Sequence, residues 1–100
     1  MCLIIFAHRV IDKFPLVLSA NRDEFFSRKS RDAQFWREEL GCSNLLAGKD
    51  LEAGGTWIGA TKDGKFAAIT NLRINAEDDQ ALISRGALTL EYLLGKDSPY

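Results

Sequence analysis

The chain has 100 residues, a formal net charge of -1, and 46% hydrophobic against 27% charged residues. This balance excludes a disordered chain, and it removes the electrostatic drive toward nucleic acid or an anionic membrane surface. Two cysteines and one histidine are too few for a disulfide framework or a His-rich metal site, and the longest apolar run, Cys2 to Ala7, is too short to span a bilayer.

Cys2-Leu3-Ile4-Ile5-Phe6-Ala7 is rich in β-formers and does not alternate with polar residues. It reads as a strand covered on both faces. Pro15 to Ala20 reads as a second strand, with Pro15 tolerated at its start. The polar stretch Arg9 to Phe14 lies between them as a turn, so the pair forms a hairpin. Ser27 to Glu39 is charged and weakly periodic, and reads mostly as loop anchored by Phe35 and Trp36. Leu45 to Ala47 reads as a short strand. Trp57 to Thr61 and Phe66 to Thr70 read as strands joined through Asp63-Gly64, the strongest short hairpin signal.

Asn75 to Asp79 is a polar loop. The last element is a helix, with Ser84 as its cap, Gly95 as its stop and Pro99 beyond. Ile83, Ala87, Leu90 and Leu94 form its apolar stripe, while Leu88, Tyr92 and Leu93 widen that surface past one face. Strands first and a helix last imply an α+β fold of antiparallel hairpins.

Cys2 is the sharpest chemical feature. Removal of Met1 would leave its thiol beside a free α-amine. That amine, with a reference pKa of about 7.7–8.0 against about 8.5 for the thiol, can act as base for its own side chain. The bland alternative is a small core residue at the start of a strand. Asn21-Arg22-Asp23-Glu24 follows the second strand, and a hairpin returns that end to the start of the first. Asp23 is thereby placed to fix the amine, Arg22 to steady a thiolate or bind a carboxylate, and Asn21 to donate to an oxyanion. The alternative there is a solvated turn with an internal arginine–carboxylate pair. Asn71, Arg73, Arg85 and Trp57 are further candidate ligand contacts. Ser84-Arg85-Gly86 opens the helix, where anions bind well. His8 and Cys42 carry little functional signal.

Taken in order, the motifs are Met1-Cys2, Ala20-Asn21-Arg22-Asp23-Glu24-Phe25, Leu46-Ala47-Gly48-Lys49-Asp50, Gly54-Gly55-Thr56-Trp57, Thr70-Asn71 and Ser84-Arg85-Gly86. Together they resemble the NRDE family, also called the transport and Golgi organization protein 2 family. The resemblance implies a fold like that of the N-terminal nucleophile hydrolases, a four-layer αββα sandwich. It also implies that residues 1–100 are the N-terminal portion of one such domain, since family members are more than twice this length. The apolar helix 83–94 would then offer a face for self-association. The related bile acid and penicillin V amidases carry Arg-Asn-x-Asp after strand two. Asn21 and Asp23 match that pattern, whereas Ala20 stands in the arginine's place and Arg22 lies two residues later.

Three functions follow as expectations. The chain carries haem, an acyl-CoA or a related lipid-like anion; or it is an amidohydrolase acting through Cys2 on an amide substrate; or it is an inactive truncated chain. No cofactor is required, and haem enters only as carried cargo. No nucleic acid or transmembrane segment is expected. Without a basic start, apolar core and cleavage site of the secretory kind, a reduced, cytoplasmic setting is the expectation.

Overall fold

The computed structural model describes residues 2–37, 44–70 and 85–95. The fold is α+β, with two antiparallel sheets and a helix. The first sheet is the hairpin of β1 (Ile4–Ile11) and β2 (Phe14–Ala20). Its register runs from Ile4 opposite Ala20 to Ile11 opposite Phe14. The register shifts between His8 and Ile11, where Arg9 takes a φ of 56°. The expected turn over residues 9–14 therefore shrinks to Asp12 and Lys13, because the strands extend to Ile11 and Phe14 on either side.

The second sheet has the order β3-β4-β5-β6. It comprises β3 (Ser30–Phe35), β4 (Leu45–Asp50), β5 (Ile58–Thr61) and β6 (Phe66–Ala68). The expectation of a loop over 27–39 is corrected here. Ser-Arg-Asp-Ala-Gln-Phe lacks an apolar alternation, yet it forms an edge strand by bonding to β4, with a register shift between Arg31 and Gln34. An edge strand needs only one partner and tolerates polar side chains on both faces. The four residues 62–65, with Asp63-Gly64 at their centre, close β5 on β6. The Gly64 N–H donates to the Thr61 carbonyl at 3.1 Å, and Gly64 takes a φ of 94°.

The helix α1 (Arg85–Leu94) packs across β4, β5 and β6. Gly86, Thr89, Leu90 and Leu93 lie at helical spacing and form its inner face, with Thr89 and Leu93 buried. The stripe expected from sequence is corrected accordingly: Leu94 is exposed, and the buried line runs through Thr89 instead. Ile83 and the Ser84 cap lie outside the described residues. At the other end the Gly95 N–H donates to the Glu91 carbonyl, and the Lys65 ammonium donates to the carbonyls of Tyr92 and Gly95.

The core comprises Trp36, Leu45, Ala47 and Leu93, with Ala67, Leu90 and Tyr92 packed against it. Trp36 is fully anchored, its indole N–H donating to the Ala47 carbonyl at 3.0 Å. Leu45 has no exposed surface at all.

The hairpin behaves otherwise. Leu3, Ile5, Phe6, Val10, Ile11, Phe14, Leu16 and Val17 are all exposed. The expectation that strand one is covered on both faces does not hold among the described residues, where β1 packs only on β2.

Candidate functional site

The hairpin's open end brings Cys2 back to the segment after β2. Asn21 ties the two together. Its backbone N–H donates to the Leu3 carbonyl at 3.1 Å, and its carboxamide oxygen accepts the Leu3 N–H at 2.7 Å. With the ends fixed, the Asp23 backbone N–H donates to the Cys2 sulfur at 3.4 Å. Cys2 is half-buried and free of any disulfide.

Arg22 points the other way. Its guanidinium donates to the Asp50 carboxylate at 3.2 Å and lies over the Trp57 ring, 4.4 Å from the centroid. Asp50 ends β4 and is buried. The same carboxylate oxygen, Oδ2, also accepts from Arg28 at 2.9 Å. The second oxygen, Oδ1, accepts the backbone N–H groups of Glu52 and Ala53 at 2.9 and 3.1 Å. Asp50 thus caps the turn that follows its strand while pairing with both arginines.

Burial alone would push the Asp50 carboxyl up. The hydrogen bonds from Arg28, Ala53 and Glu52 outweigh it, and the group is held below the ordinary carboxylate range. The Arg28 guanidinium is raised, chiefly by its bond to Asp50. Glu24 lies 4.0 Å from Arg28 and completes the cluster.

Two glycines make the close approaches possible. A Cβ on Gly48 would lie 2.7 Å from the Trp57 ring, so the bare backbone of β4 seats the ring that Arg22 covers. A Cβ on Gly55 would lie 2.6 Å from the Gly86 carbonyl carbon. There the loop before β5 touches the first turn of α1, and the Thr56 N–H reaches the Gly86 carbonyl at 3.4 Å.

Beside this cluster lies an open depression of about 510 Å³. Arg22, Arg28 and Lys29 line it together with Glu24, Ser30, Phe25, Phe26, Leu51 and Trp57. Lys29 and Phe26 stand exposed at its rim. Three cationic side chains and the Glu24 carboxylate therefore share one concave surface with aromatic and aliphatic side chains.

Of the residues singled out from sequence, Cys2, Asn21 and Asp23 meet at the hairpin's open end, and Arg22 meets Trp57. Arg85 opens α1 and is exposed. Asn71 and Arg73 lie outside the described residues. Sequence reasoning missed the roles of Asp50 and Arg28. The only signal for Asp50 was a carboxylate closing the Leu46-Ala47-Gly48-Lys49-Asp50 motif.

The family model described as Transport and Golgi organisation 2 matches residues 1–100. The chain belongs to this family. It is 42% identical over 100 residues to the human transport and Golgi organization protein 2 homolog, covering 93% of this chain and 35% of the relative. It is 40% identical to the mouse homolog over the same shares. A Saccharomyces cerevisiae protein without a characterised role, YGR127W, is 36% identical over 101 residues, covering 93% of this chain and 31% of its own. The chain thus spans about a third of the length of these relatives. No solved structure matches it.

Proposed function

We propose that this family member binds a small organic anion with an apolar part, of the class of acyl-CoA, haem or a related lipid-like anion. The observation that carries the reading is the depression in which Arg22, Arg28 and Lys29 stand beside Phe25, Phe26, Leu51 and Trp57. Cations there would hold phosphate or carboxylate groups, and the aromatic and aliphatic side chains would cover the apolar part. Calorimetric titration with a long-chain acyl-CoA and, separately, with haem tests it. Saturable micromolar binding is expected, weakened about fivefold by Lys29→Glu and again by Phe26→Ser. Both residues are exposed at the rim, so the variants spare the fold. Absent saturable binding, or variants that bind like the unchanged protein, contradict the reading.

A second reading is favoured by a separate observation, the Asp23 N–H on the Cys2 sulfur. In it the fold is the N-terminal part of an N-terminal nucleophile αββα sandwich, and the protein cleaves an amide. With Met1 removed, the Cys2 α-amine takes the thiol proton and sulfur attacks the carbonyl carbon. The ammonium then returns a proton to the leaving amine, and water releases the acyl group from sulfur. Mass spectrometry of the cell-made protein tests the first requirement. A chain starting at Cys2 is expected, and retained Met1 ends this mechanism.

A further inference from the structure

We propose that Asp50 is a positioning residue for the Cys2 thiol, acting through Arg22. This deepens the Cys2 reading and rests on it. The thiol corner belongs to the hairpin, which packs on no other described element by its strands. Cys2 is held there by neighbours on the segment after β2, through Asn21 and the Asp23 amide. Arg22 ties that segment in turn to the other sheet. Asp23, which makes the contact to sulfur, is the next residue along the chain.

Arg22 is itself fixed from the other sheet, on two sides. Trp57 lies beneath its guanidinium at 4.4 Å, and the Asp50 carboxylate receives its Nη2 at 3.2 Å. Both partners are rigidly seated. Trp57 rests on the bare backbone of Gly48. Asp50 ends a core strand, and its other oxygen is held by the N–H groups of Glu52 and Ala53. A well-packed sheet thus sets the position of a residue adjacent to the thiol contact. Arg28 shares Asp50 Oδ2 but lies five residues past Asp23, so it provides an internal control.

The experiment compares Asp50→Asn, Arg22→Gln, Arg28→Gln and Leu45→Ala with the unchanged protein. Asp50→Asn keeps an oxygen for the Glu52 and Ala53 amides, and replaces the oxygen that accepts from Arg22 and Arg28 by an uncharged NH2 that cannot accept. Two readouts are taken at pH 7, well below each variant's unfolding temperature. One is the alkylation rate of Cys2 with iodoacetamide, read by mass spectrometry on the Cys2 peptide. The other is the amide-proton resonance of Asp23.

The expected result is an approximately fivefold slower alkylation in both Asp50→Asn and Arg22→Gln, a size usual for coupling through a contiguous side-chain network. The Asp23 resonance moves upfield in both as the hydrogen bond to sulfur weakens. Arg28→Gln gives less than half of either effect. Leu45→Ala, which loosens the sheet but leaves Arg22 and Asp50 in place, moves the Asp23 resonance by less than half as much as Asp50→Asn or Arg22→Gln. Alkylation that is unchanged or faster in Asp50→Asn and Arg22→Gln overturns the proposal, as does an Arg28→Gln effect equal to theirs. These readouts report on the thiol itself. They are independent of whether an amide is ever cleaved, so failure of the amidase reading is seen separately, in turnover assays and in the state of Met1.

Discussion

Leu45 and Ala47 of β4 are buried beneath α1, whereas Ile5, Phe6, Val10 and Val17 of the hairpin are exposed. The two regions have comparable apolar sequences. They differ in what lies above them: the four-stranded sheet has a helix across β4, β5 and β6, and the hairpin has no described element on its faces. The chemistry-bearing residues divide along the same line. Cys2, Asn21 and Asp23 sit on the hairpin side, while Trp57 and Asp50 sit on the sheet side. Arg22 spans the two. Stability and candidate chemistry are therefore lodged in different regions, and the Arg22–Asp50 ion pair reaches from one to the other.

The largest expected effect lies in the sheet. Leu45→Ala empties a fully buried position next to Trp36 and Leu93 and is expected to cost about 2–5 kcal/mol. Urea denaturation read by Trp fluorescence checks it. A loss below about 1 kcal/mol would mean that the sheet is no better packed than the hairpin.

Gly55→Ala comes next. The new methyl would meet the Gly86 carbonyl carbon at 2.6 Å, and backbone cannot yield as a flexible side chain can. A loss of about 1–3 kcal/mol is expected in the same assay, from overpacking between the loop and α1.

Asp50→Asn is expected to cost about 1–2 kcal/mol at neutral pH, from charge-assisted hydrogen bonds lost at a part-buried carboxylate. Its pH dependence has a definite sign. The folded protein holds the Asp50 carboxyl below its ordinary value. Its contribution is therefore fully present above the unfolded pKa of about 3.9 and is lost as pH falls through the folded value. Thermal melts between pH 7 and pH 2.5 should show the advantage over Asp50→Asn constant down to about pH 5 and shrinking below it. An advantage that grows on acidification would contradict the assignment.

Phe6→Ser should do least. Phe6 is 67% exposed, so a change within about 0.5 kcal/mol is expected. A loss of several kcal/mol would show that the hairpin's face is covered in the working protein, and the contrast between the two sheets would then be redrawn.

Much of this architecture was legible in the sequence. Both hairpins could be read because their signals are local: apolar β-forming runs around a short polar turn, and Asp63-Gly64 between two strands. The helix was legible from its spacing and from Gly95. Its buried face was misplaced because Thr89, a polar residue, is covered by packing and not chosen by hydropathy. β3 was missed for a related reason, since Ser30–Phe35 is ordered by bonding to β4 and shows no pattern of its own.

At the site, the meeting of Cys2 with Asn21 and Asp23 follows from hairpin closure and was foreseeable. The Arg22–Asp50 pair spans 28 residues and two sheets, and no local pattern announces a contact at that separation. Asp50 could be recognised as part of a motif before it had a partner. The fold supplied the partner, and with it a reason for the arginine to face away from the thiol.

If the Arg22–Asp50 pair fastens the thiol corner of the hairpin to the four-stranded sheet, the two residues are energetically coupled. A double-mutant cycle on unfolding free energy, combining Arg22→Gln with Asp50→Asn while Arg28 is kept, tests it most directly. The side chains are largely shielded, with 18% and 12% exposure, and a coupling of about 1 kcal/mol is predicted after allowance for solvent screening. Additivity within about 0.3 kcal/mol would contradict it.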